Sequence, residues 1–384
     1  MREVYLDHNA TSPIRPEAKA AALAALEIGG NPSAQHARGR RARAVIEDAR
    51  LQVAALVGGS PERLAFTSGG VEANNMVVAD AAAAGCTLLV LDVEHSSVRL
   101  AAEASGAAVE LIPVTADGVA DLAWLEQRLA DWRDAEGAPF VAMMVANNES
   151  GVIQPVAEAA ALAHARGGRL HADAVPAAGK IALDLERLGA DSLSLAAHKL
   201  GGPQGCGALL WRTDASRPTK RLHGGGQERG IRAGTENIAG IAGFGAAAEA
   251  AAAELAHGHE AMRTWRDKAQ DELRQAVTSL DMTVFGETAP RLPNTLFFAA
   301  PGFSAERQVM ALDLAGVMVS AGAACASGKA KSSLVAERMG RPDLASCAIR
   351  VSGGWNTVEE DWARFVAVWS EAYERFSRNR AEAA

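Results

Sequence analysis

The sequence predicts an α/β fold: a mostly parallel seven-stranded sheet in a large domain, followed by a smaller α+β C-terminal domain. Short runs rich in Val, Leu and Ile alternate with Ala-rich helical stretches through the first two thirds of the 384 residues, as in βαβ units. These runs are continuously apolar, which is typical of strands buried on both faces of a parallel sheet. The alternation stops near residue 255. We therefore predict a large domain at 15–255 and a small domain at 1–14 and 256–384.

Each predicted strand is bounded by turn or polar residues. The strands are 64–67, 88–92, 109–113, 140–146, 170–173, 192–195 and 208–211. A long helix is predicted over 33–56, because Gly58 and Gly59 can cap its end. Another begins after the glycines at 69–70. Later helices are predicted over 235–257, from there to about 280, and after a capping box formed by Thr357 and Glu360.

Composition excludes several classes of protein. With 49% hydrophobic and 22% charged residues the chain is globular rather than disordered. A formal net charge of -8 argues against a nucleic-acid surface, and the basic run at 38–43 fits the solvated face of a helix. The longest apolar run, 81–91, is too short for a membrane span and the first residues lack a signal-peptide pattern. We therefore expect a cytoplasmic protein without a membrane partner.

The four cysteines, Cys86, Cys206, Cys325 and Cys347, have neither Cys-x-x-Cys nor Cys/His ligand spacing. We expect reduced thiols and no intrinsic metal site. Cys325 lies in a run of small residues that suits a mobile loop, with Lys329 and Lys331 close behind it in the chain. The residues alone leave a buried inert thiol and a reactive thiolate both open.

Polar residues follow several predicted strands, at the edge where an open α/β sheet binds its ligand. The turn at Gly69 and Gly70 either cradles a phosphate with backbone N–H groups or is an ordinary strand-to-helix turn. His95 and Asn148 follow two further strands. Asp173 ends another, where an acid either caps a turn or holds a proton on a cationic ligand.

Lys199 stands in Ala-His-Lys-Leu-Gly-Gly-Pro, directly after the strand predicted at 192–195. A lysine whose pKa is lowered by burial can form a Schiff base, whereas an exposed turn lysine is inert. A lysine, a phosphate cradle, an acid and a histidine together are what pyridoxal phosphate (PLP) needs. The sequence contains no GxGxxG, GxxxxGK[ST], GxSxG or HExxH, so the commonest nucleotide-binding and hydrolase motifs are missing.

Segments along nearly the whole chain, from Tyr5 to Asp361, resemble cysteine desulfurases of the NifS/IscS type. Those enzymes are PLP-dependent members of the class V aminotransferase family with fold type I. The segments are YLDHNATSP, GNPSAQHARGR, FTSGGVEANN, EHSSV, NNESGV, HADAVPAAGK, AHKLGGPQGCGAL, HGGGQERGIRAGTEN, RLPNTLFF, SAGAACASG and IRVSGGWNTVEED. The joint occurrence of AHK, GGGQERGxRxGT and SxGxAC makes the resemblance highly specific.

The resemblance implies how PLP would be bound. Lys199 would bind it covalently, and His95 would stack on the ring and take part in proton transfer. Asp173 would pair with the ring nitrogen, which keeps the ring an electron acceptor, and Asn148 would contact the ring hydroxyl. The phosphate would be held by Gly70, Val71, His198 and, across a homodimer, Thr235 of the partner subunit.

The resemblance also implies the reaction. Cys325 would attack the sulfur of cofactor-bound L-cysteine, become a persulfide and release L-alanine, while Arg350 binds the substrate carboxylate. The persulfide would pass to a sulfur acceptor or an iron–sulfur scaffold protein, with Cys325 as a candidate transient cluster ligand. The other three cysteines would be structural.

Three positions depart from the family pattern. Val71, Pro176 and Ala196 stand where the family usually has Thr, Gln and Ser. Each lost hydrogen bond to a charged group costs about 1.5 to 3 kcal/mol, so weaker PLP binding is expected. Two alternatives stay open. One is another fold-type I enzyme, an aminotransferase or selenocysteine lyase in which Cys325 is not catalytic; the other, which the three replacements would permit, is a non-catalytic scaffold relative with weakened PLP binding.

Overall fold

The computed structural model describes residues 2–276, 282–322 and 332–383. The strands are β1 (Val4–Tyr5), β2 (Leu64–Thr67), β3 (Thr87–Leu91), β4 (Val109–Ile112), β5 (Pro139–Ala142), β6 (Arg169–Asp173), β7 (Ser192–Ala196), β8 (Gly207–Trp211), β9 (Thr283–Val284), β10 (Thr295–Ala299), β11 (Val317–Met318), β12 (Ser320–Ala321) and β13 (Ala348–Ser352). The helices are α1 (Pro16–Ile28), α2 (Ala37–Leu56), α3 (Gly70–Ala83), α4 (Ser96–Ala104), α5 (Leu122–Ala130), α6 (Val156–His164), α7 (Leu185–Leu188), α8 (Ile238–His257), α9 (Glu260–Ala276), α10 (Ala305–Leu314), α11 (Leu334–Arg338) and α12 (Glu359–Ala383).

Seven strands form the larger sheet, in the order β2-β8-β7-β6-β5-β3-β4. Only β8 runs antiparallel to its two neighbours. Strand β3 shows why the sequence runs are continuously apolar. Leu88 and Val90 pack into the core on one face of the sheet, whereas Leu89 and Leu91 pack into the core on the other. Both faces are covered, and the predicted mostly parallel α/β sheet is confirmed.

A second, antiparallel sheet has the order β12-β13-β10-β9, and β1 pairs in parallel with β11. Trp362, Trp369 and Phe298 lie in a separate core beside these strands. The N-terminal strand therefore packs with the C-terminal third of the chain. On this packing we propose the division into 15–255 and 1–14 plus 256–384, with α8 ending just beyond it.

The seven predicted strands are found within one or two residues at most ends, but the strand predicted at 140–146 was too long. Strand β5 ends at Ala142. Beyond it, Met143 N and Val145 N still donate to β6 carbonyls, but Ala146 already pairs with Ile153. This segment leaves the sheet to form a tight turn that carries Asn148.

The predicted helices differ from the observed ones mainly at their starts. Helix α2 begins at Ala37 rather than at 33, because His36 Nδ1 accepts a hydrogen bond from Gly39 N and caps it. Helix α8 begins at Ile238 rather than at 235, because Asn237 caps it. The end of the helix predicted to about 280 lies outside the described residues.

Helix α8 was not expected to be as apolar as a membrane span. Among the described residues it is the one helix long and apolar enough to cross a membrane by length and composition. It packs against α1 and α2, and Phe244 and Ala247 are fully buried. Half of its apolar window lies inside the protein, as expected of a core helix.

Candidate active site

A cavity of about 770 Å³ opens at the carboxyl ends of β6 and β7, beside the first turn of α3. Eight of the ten residues predicted from the sequence line it: Gly70, Val71, His95, Asn148, Asp173, His198, Lys199 and Arg350. Thr235 is exposed and does not line this cavity. Cys325 lies outside the described residues. Gly322 and Ser332, on either side of 323–331, both line the cavity.

Lys199 projects from a short 3₁₀ turn that follows β7. Its Nζ donates to the backbone carbonyl of Ala10 at 2.8 Å and to that of Asn9. The N-terminal segment therefore positions the lysine amine. An amine held at the wall of a cavity by carbonyl groups has the chemistry needed to bond an aldehyde.

Asp173 ends β6 and is 2% exposed. Its Oδ1 accepts from Val175 N at 2.9 Å, and its Oδ2 accepts from Asn74 Nδ2 at 2.8 Å. These bonds fix the carboxylate at the cavity wall. A buried carboxylate in this position favours a protonated nitrogen on a ligand ring.

His95 caps α4, since its Nδ1 accepts from Ser97 N at 3.1 Å. Beneath it, Glu94 Oε2 accepts from His95 N at 3.1 Å. Burial, and secondarily the charge of Asp173, raise the pKa of Glu94 well above its usual range. Glu94 therefore adds little negative charge beside the imidazole ring of His95. The hydrogen bond that caps α4 fixes the orientation of that ring.

The other end of the cavity is built for an anion. Helix α3 begins there at Gly70, and a Cβ on Gly70 would lie 2.8 Å from Val175 Cγ2. The backbone N–H groups in the first turn of α3 and the dipole of this helix favour binding of a phosphate. His198 Nδ1 lies 3.2 Å from Thr11 Oγ1. Burial, helped by nearby lysine charges, lowers the pKa of His198 to about 4.

Arg350, on β13, brings the C-terminal part of the chain into the site. It is 3% exposed. Its Nη1 donates to Asn148 O at 3.0 Å, and its Nη2 donates to Asp7 Oδ1 at 2.6 Å. These partners hold the guanidinium at the cavity wall, where its planar donors match a carboxylate.

The three departures from the family pattern also line the cavity. Val71 lies 59% exposed at its mouth, whereas Ala196 is buried. Pro176 supplies only its carbonyl, which accepts from Lys180 Nζ at 2.8 Å. The two hydroxyls and the side-chain amide of the Thr, Ser and Gln usual in the family are therefore missing from the cavity wall at these positions.

The residues present nevertheless fit PLP. Lys199 offers an amine for its aldehyde and Asp173 an acceptor for its ring nitrogen. The helix terminus at Gly70 and His198 offer donors for its phosphate. Among the described residues no group of His, Cys, Asp and Glu is placed to hold a metal ion.

Several residues at the site were missed by the sequence analysis. Asp7 and Asn9 follow the short strand β1, and the polar run from Asp7 to Asn9 just after it was an available signal. Asn74 looks like an ordinary helix residue, so nothing in the sequence singles it out. Glu149 accepts from Ser333 Oγ at 2.6 Å, and burial raises its pKa to about 7.

Comparison with known proteins shows the family of this chain. The sequence model of the family Aminotransferase class-V matches residues 4–365. The chain belongs to the class-V aminotransferase family. Within this PLP-dependent family, it is 40% identical over 375 residues to a cysteine desulfurase of Cereibacter sphaeroides, covering 94% of this chain and 93% of the relative.

Two further relatives place the chain among the cysteine desulfurases of the NifS/IscS type. It is 37% identical to a cysteine desulfurase IscS of Dictyoglomus turgidum, covering 94% of this chain and 92% of the relative. The structure of a NifS-like protein from Rickettsia africae superimposes with a TM-score of 0.87 at 29% identity, over 97% of this chain and 100% of that one. The resemblance found in the sequence and the fold-type I class are confirmed.

Proposed function

We propose that the protein is a PLP-dependent cysteine desulfurase that acts as a cytoplasmic homodimer. It converts L-cysteine to L-alanine and keeps the sulfur atom as a persulfide on Cys325. The persulfide then serves a sulfur acceptor or an iron–sulfur scaffold protein. The named relatives at 37–40% identity support this activity.

One observation carries the proposal. Lys199 and Asp173 lie in the same cavity as Arg350, and the chain on both sides of the Cys325 segment lines that cavity as well. A cofactor site, a carboxylate site and the two ends of a thiol-bearing segment therefore meet. An aminotransferase needs the first two and has no use for the third.

Each side chain has a task in this reaction. When bound, PLP withdraws electrons from the substrate Cα, which makes its proton acidic. Asp173 holds a proton on the cofactor ring, and Arg350 orients L-cysteine through its carboxylate. His95 is placed to exchange protons with the substrate.

Transfer of the sulfur atom from the substrate to Cys325 needs no external oxidant. Cys325 Sγ forms a bond to the substrate sulfur as the Cβ–S bond breaks, and the electron pair stays on Cβ. Cβ is then protonated, which gives L-alanine. Two equivalents of an external thiol then reduce the persulfide: the sulfur leaves as sulfide, Cys325 is restored and the two thiols are oxidised to a disulfide.

The test is alanine and sulfide release from L-cysteine in the presence of a reductant. Cys325→Ala is expected to abolish sulfide release while the visible absorption band of bound PLP remains. Lys199→Ala is expected to abolish both. Cys86→Ala, which changes a buried cysteine directly before β3, serves as the matched control and is expected to retain activity.

Two outcomes would contradict the proposal. Sulfide release by both Cys325→Ala and Lys199→Ala would exclude this chemistry. Full turnover by Cys325→Ala but not by Lys199→Ala would favour an alternative: the lyase if the substrate is selenocysteine, and the aminotransferase if an amino acceptor is required.

The apolar replacements support one further candidate, a non-catalytic scaffold. Val71, Pro176 and Ala196 remove polar groups from the cavity wall. A folded protein that gains no absorption band on titration with PLP would favour the scaffold. A band that saturates at one PLP per chain would exclude it.

A further inference from the structure

Asn74 lies in the first turns of α3, is 1% exposed and lines the same cavity as Asp173 and His95. Its side chain has three hydrogen-bond partners. Nδ2 donates to Asp173 Oδ2 at 2.8 Å and to Ser97 Oγ at 2.9 Å, and Oδ1 lies 2.9 Å from His171 Nε2. A single buried amide therefore joins two of the predicted site residues, one directly and one through a serine.

The chemistry of the partners fixes which atom donates. Asp173 is a carboxylate, which only accepts, so the amide nitrogen of Asn74 must face it. Asn74 Oδ1 then accepts, and His171 Nε2 carries a proton. Burial lowers the pKa of His171 to about 4, so its other nitrogen is unprotonated near neutral pH. That nitrogen, Nδ1, accepts from Ser192 Oγ at 2.8 Å.

The same reasoning continues from Ser97 to His95. Because Ser97 Oγ accepts from Asn74, its hydroxyl proton is free to point at His95 Nδ1, 2.7 Å away. Ser97 N also donates to that nitrogen, at 3.1 Å. Two donors converge on one ring nitrogen, which is possible only if it carries no proton. In the neutral imidazole the proton is therefore on Nε2.

We propose that Asn74 is a positioning residue that, through Ser97, fixes His95 as the tautomer protonated at Nε2 while it also orients Asp173. This proposal deepens the proposed function and rests on it, because that function gives His95 and Asp173 their roles. The hydrogen-bond chain itself, Ser192–His171–Asn74–Ser97–His95, is independent of the reaction.

The consequence concerns what the cavity offers a ligand. His95 lines the cavity and its Nδ1 accepts from Ser97 N, so the neutral ring carries its proton on Nε2. In this tautomer Nε2 is a donor, which suits a lone pair or an anion, such as a thiolate or an amine, rather than the removal of a proton by that nitrogen.

The test is the two-bond ¹H–¹⁵N correlation spectrum of the full-length chain labelled with ¹⁵N-histidine, recorded with PLP bound. A His95→Gln variant assigns the signals. The expected result for the wild type is a His95 pattern with Nε2 protonated and Nδ1 unprotonated. A pattern with the proton on Nδ1 would overturn the proposal.

Two pairs of adjacent residues supply matched variants. Ser97→Ala leaves Ser97 N as the remaining donor to His95 Nδ1, so this variant and Asn74→Leu are expected to shift His95 in part, toward a mixture of tautomers. Ser97→Thr, which keeps the hydroxyl, is expected to show the wild-type pattern. Ser96→Ala and Asn75→Ala change exposed neighbours of the same types and are expected to leave the pattern unchanged. An unchanged tautomer in Ser97→Ala would contradict the relay, and that variant decides the matter if Asn74→Leu does not fold.

The outcome is separable from the proposed function. A wild-type protein that releases no alanine from L-cysteine but shows the Nε2 tautomer would refute the desulfurase and support the relay. An active enzyme with the Nδ1 tautomer would do the reverse.

Discussion

Ala196 is the position at which adding one oxygen atom is expected to increase PLP affinity most. It is 3% exposed, and its Cβ would lie 3.7 Å from a Cβ built on Gly70, at the start of α3. A serine there places a hydroxyl donor beside the helix terminus proposed to hold the phosphate. Ala196→Ser is expected to tighten PLP binding about tenfold, since a hydrogen bond to a charged group contributes about 1.5 kcal/mol or more.

Titration of the PLP-free protein, followed by absorbance, measures this change. Val358→Thr is the control, because it adds a hydroxyl at an exposed valine that does not line the cavity. Equal affinity in wild type and Ala196→Ser would show that the phosphate is not held at this end.

Glu149 is expected to make the protein less stable as the pH rises. Burial raises its pKa from 4.5 to about 7. Between these values the folded chain keeps a proton that the unfolded chain releases, so the free energy of unfolding falls with rising pH. The full decrease in the free energy of unfolding is about 3 kcal/mol and is reached above pH 7.

Glu149→Gln removes this titration. Urea unfolding at pH 5 and pH 8 is expected to show a smaller loss of stability on raising the pH in the variant than in wild type. Glu17→Gln, at an exposed position of α1, should behave as wild type. The same pH response in Glu149→Gln and wild type would show that Glu149 is not the responsible group.

At the scale of residues, the sequence predicted the groups that follow strands and missed the groups that hold them. Asp173 and Lys199 were found because polar side chains after apolar runs stand out. Asn74 and Lys180 were not, because an amide on a helix and a lysine after a glycine look like surface residues. Their burial is decided by which elements pack together, and a single sequence does not state that.

At the scale of elements, the turn Glu228–Gly230 is held by a buried ion pair. Arg50, 2% exposed on α2, donates through Nη1 to Glu228 Oε2 at 2.8 Å and through Nη2 to Oε1 at 3.1 Å. Glu228 Oε2 also accepts from Phe66 N at 2.8 Å. Glu228 and Arg229 have φ values of 44° and 56°, in the left-handed region that non-glycine residues rarely adopt. The ion pair thus fixes a strained turn against β2.

Glu228→Gln is expected to lower the free energy of unfolding by about 3 kcal/mol, because it leaves the Arg50 charge buried without its partner. Equilibrium unfolding in urea measures the loss. Glu62→Gln, on an exposed turn before β2, is the control. A loss below about 1 kcal/mol would mean that the turn does not depend on this pair.

The elements themselves were predictable where their patterns are local. The strands at 64–67 and 170–173 were found nearly to the residue, because both faces of the sheet select apolar side chains. The strand predicted at 140–146 ran too far, because Met143 to Ala146 stay apolar and buried after the chain has left the β5 ladder. Burial continues to Ala146, whereas the regular strand ends at Ala142 and Met143 N and Val145 N bond to β6 outside it, and the sequence records only burial.

At the scale of the molecule, the site is assembled from distant parts of the chain. Arg350 reaches the cavity because the antiparallel pairing of β13 with β10 aligns it, and Asp7 meets it because β1 pairs with β11. Neither pairing has a local sequence signal. The sequence therefore predicted that Arg350 belongs to the site only through the family resemblance, while the structure shows what holds it there.

The shared site of the proposed homodimer is testable with mixed dimers. Thr235 is exposed and absent from the cavity of its own chain, as expected if it serves the partner subunit. A homodimer of Lys199→Ala lacks the covalent bond to PLP, and a homodimer of Thr235→Ala is expected to bind PLP about tenfold more weakly. In a mixed dimer of the two, one cavity has both an intact Lys199 and an intact Thr235, and the other has neither.

Mixed dimers isolated with two different affinity tags are expected to bind one PLP per dimer with wild-type affinity. A mixed dimer of Lys199→Ala with wild type gives the reference value for one site. If Thr235 instead serves its own chain, every cavity of the first mixed dimer carries one defect, and no site reaches that affinity. The stoichiometry at a PLP concentration near the wild-type dissociation constant therefore distinguishes a site shared between subunits from one completed within a single chain.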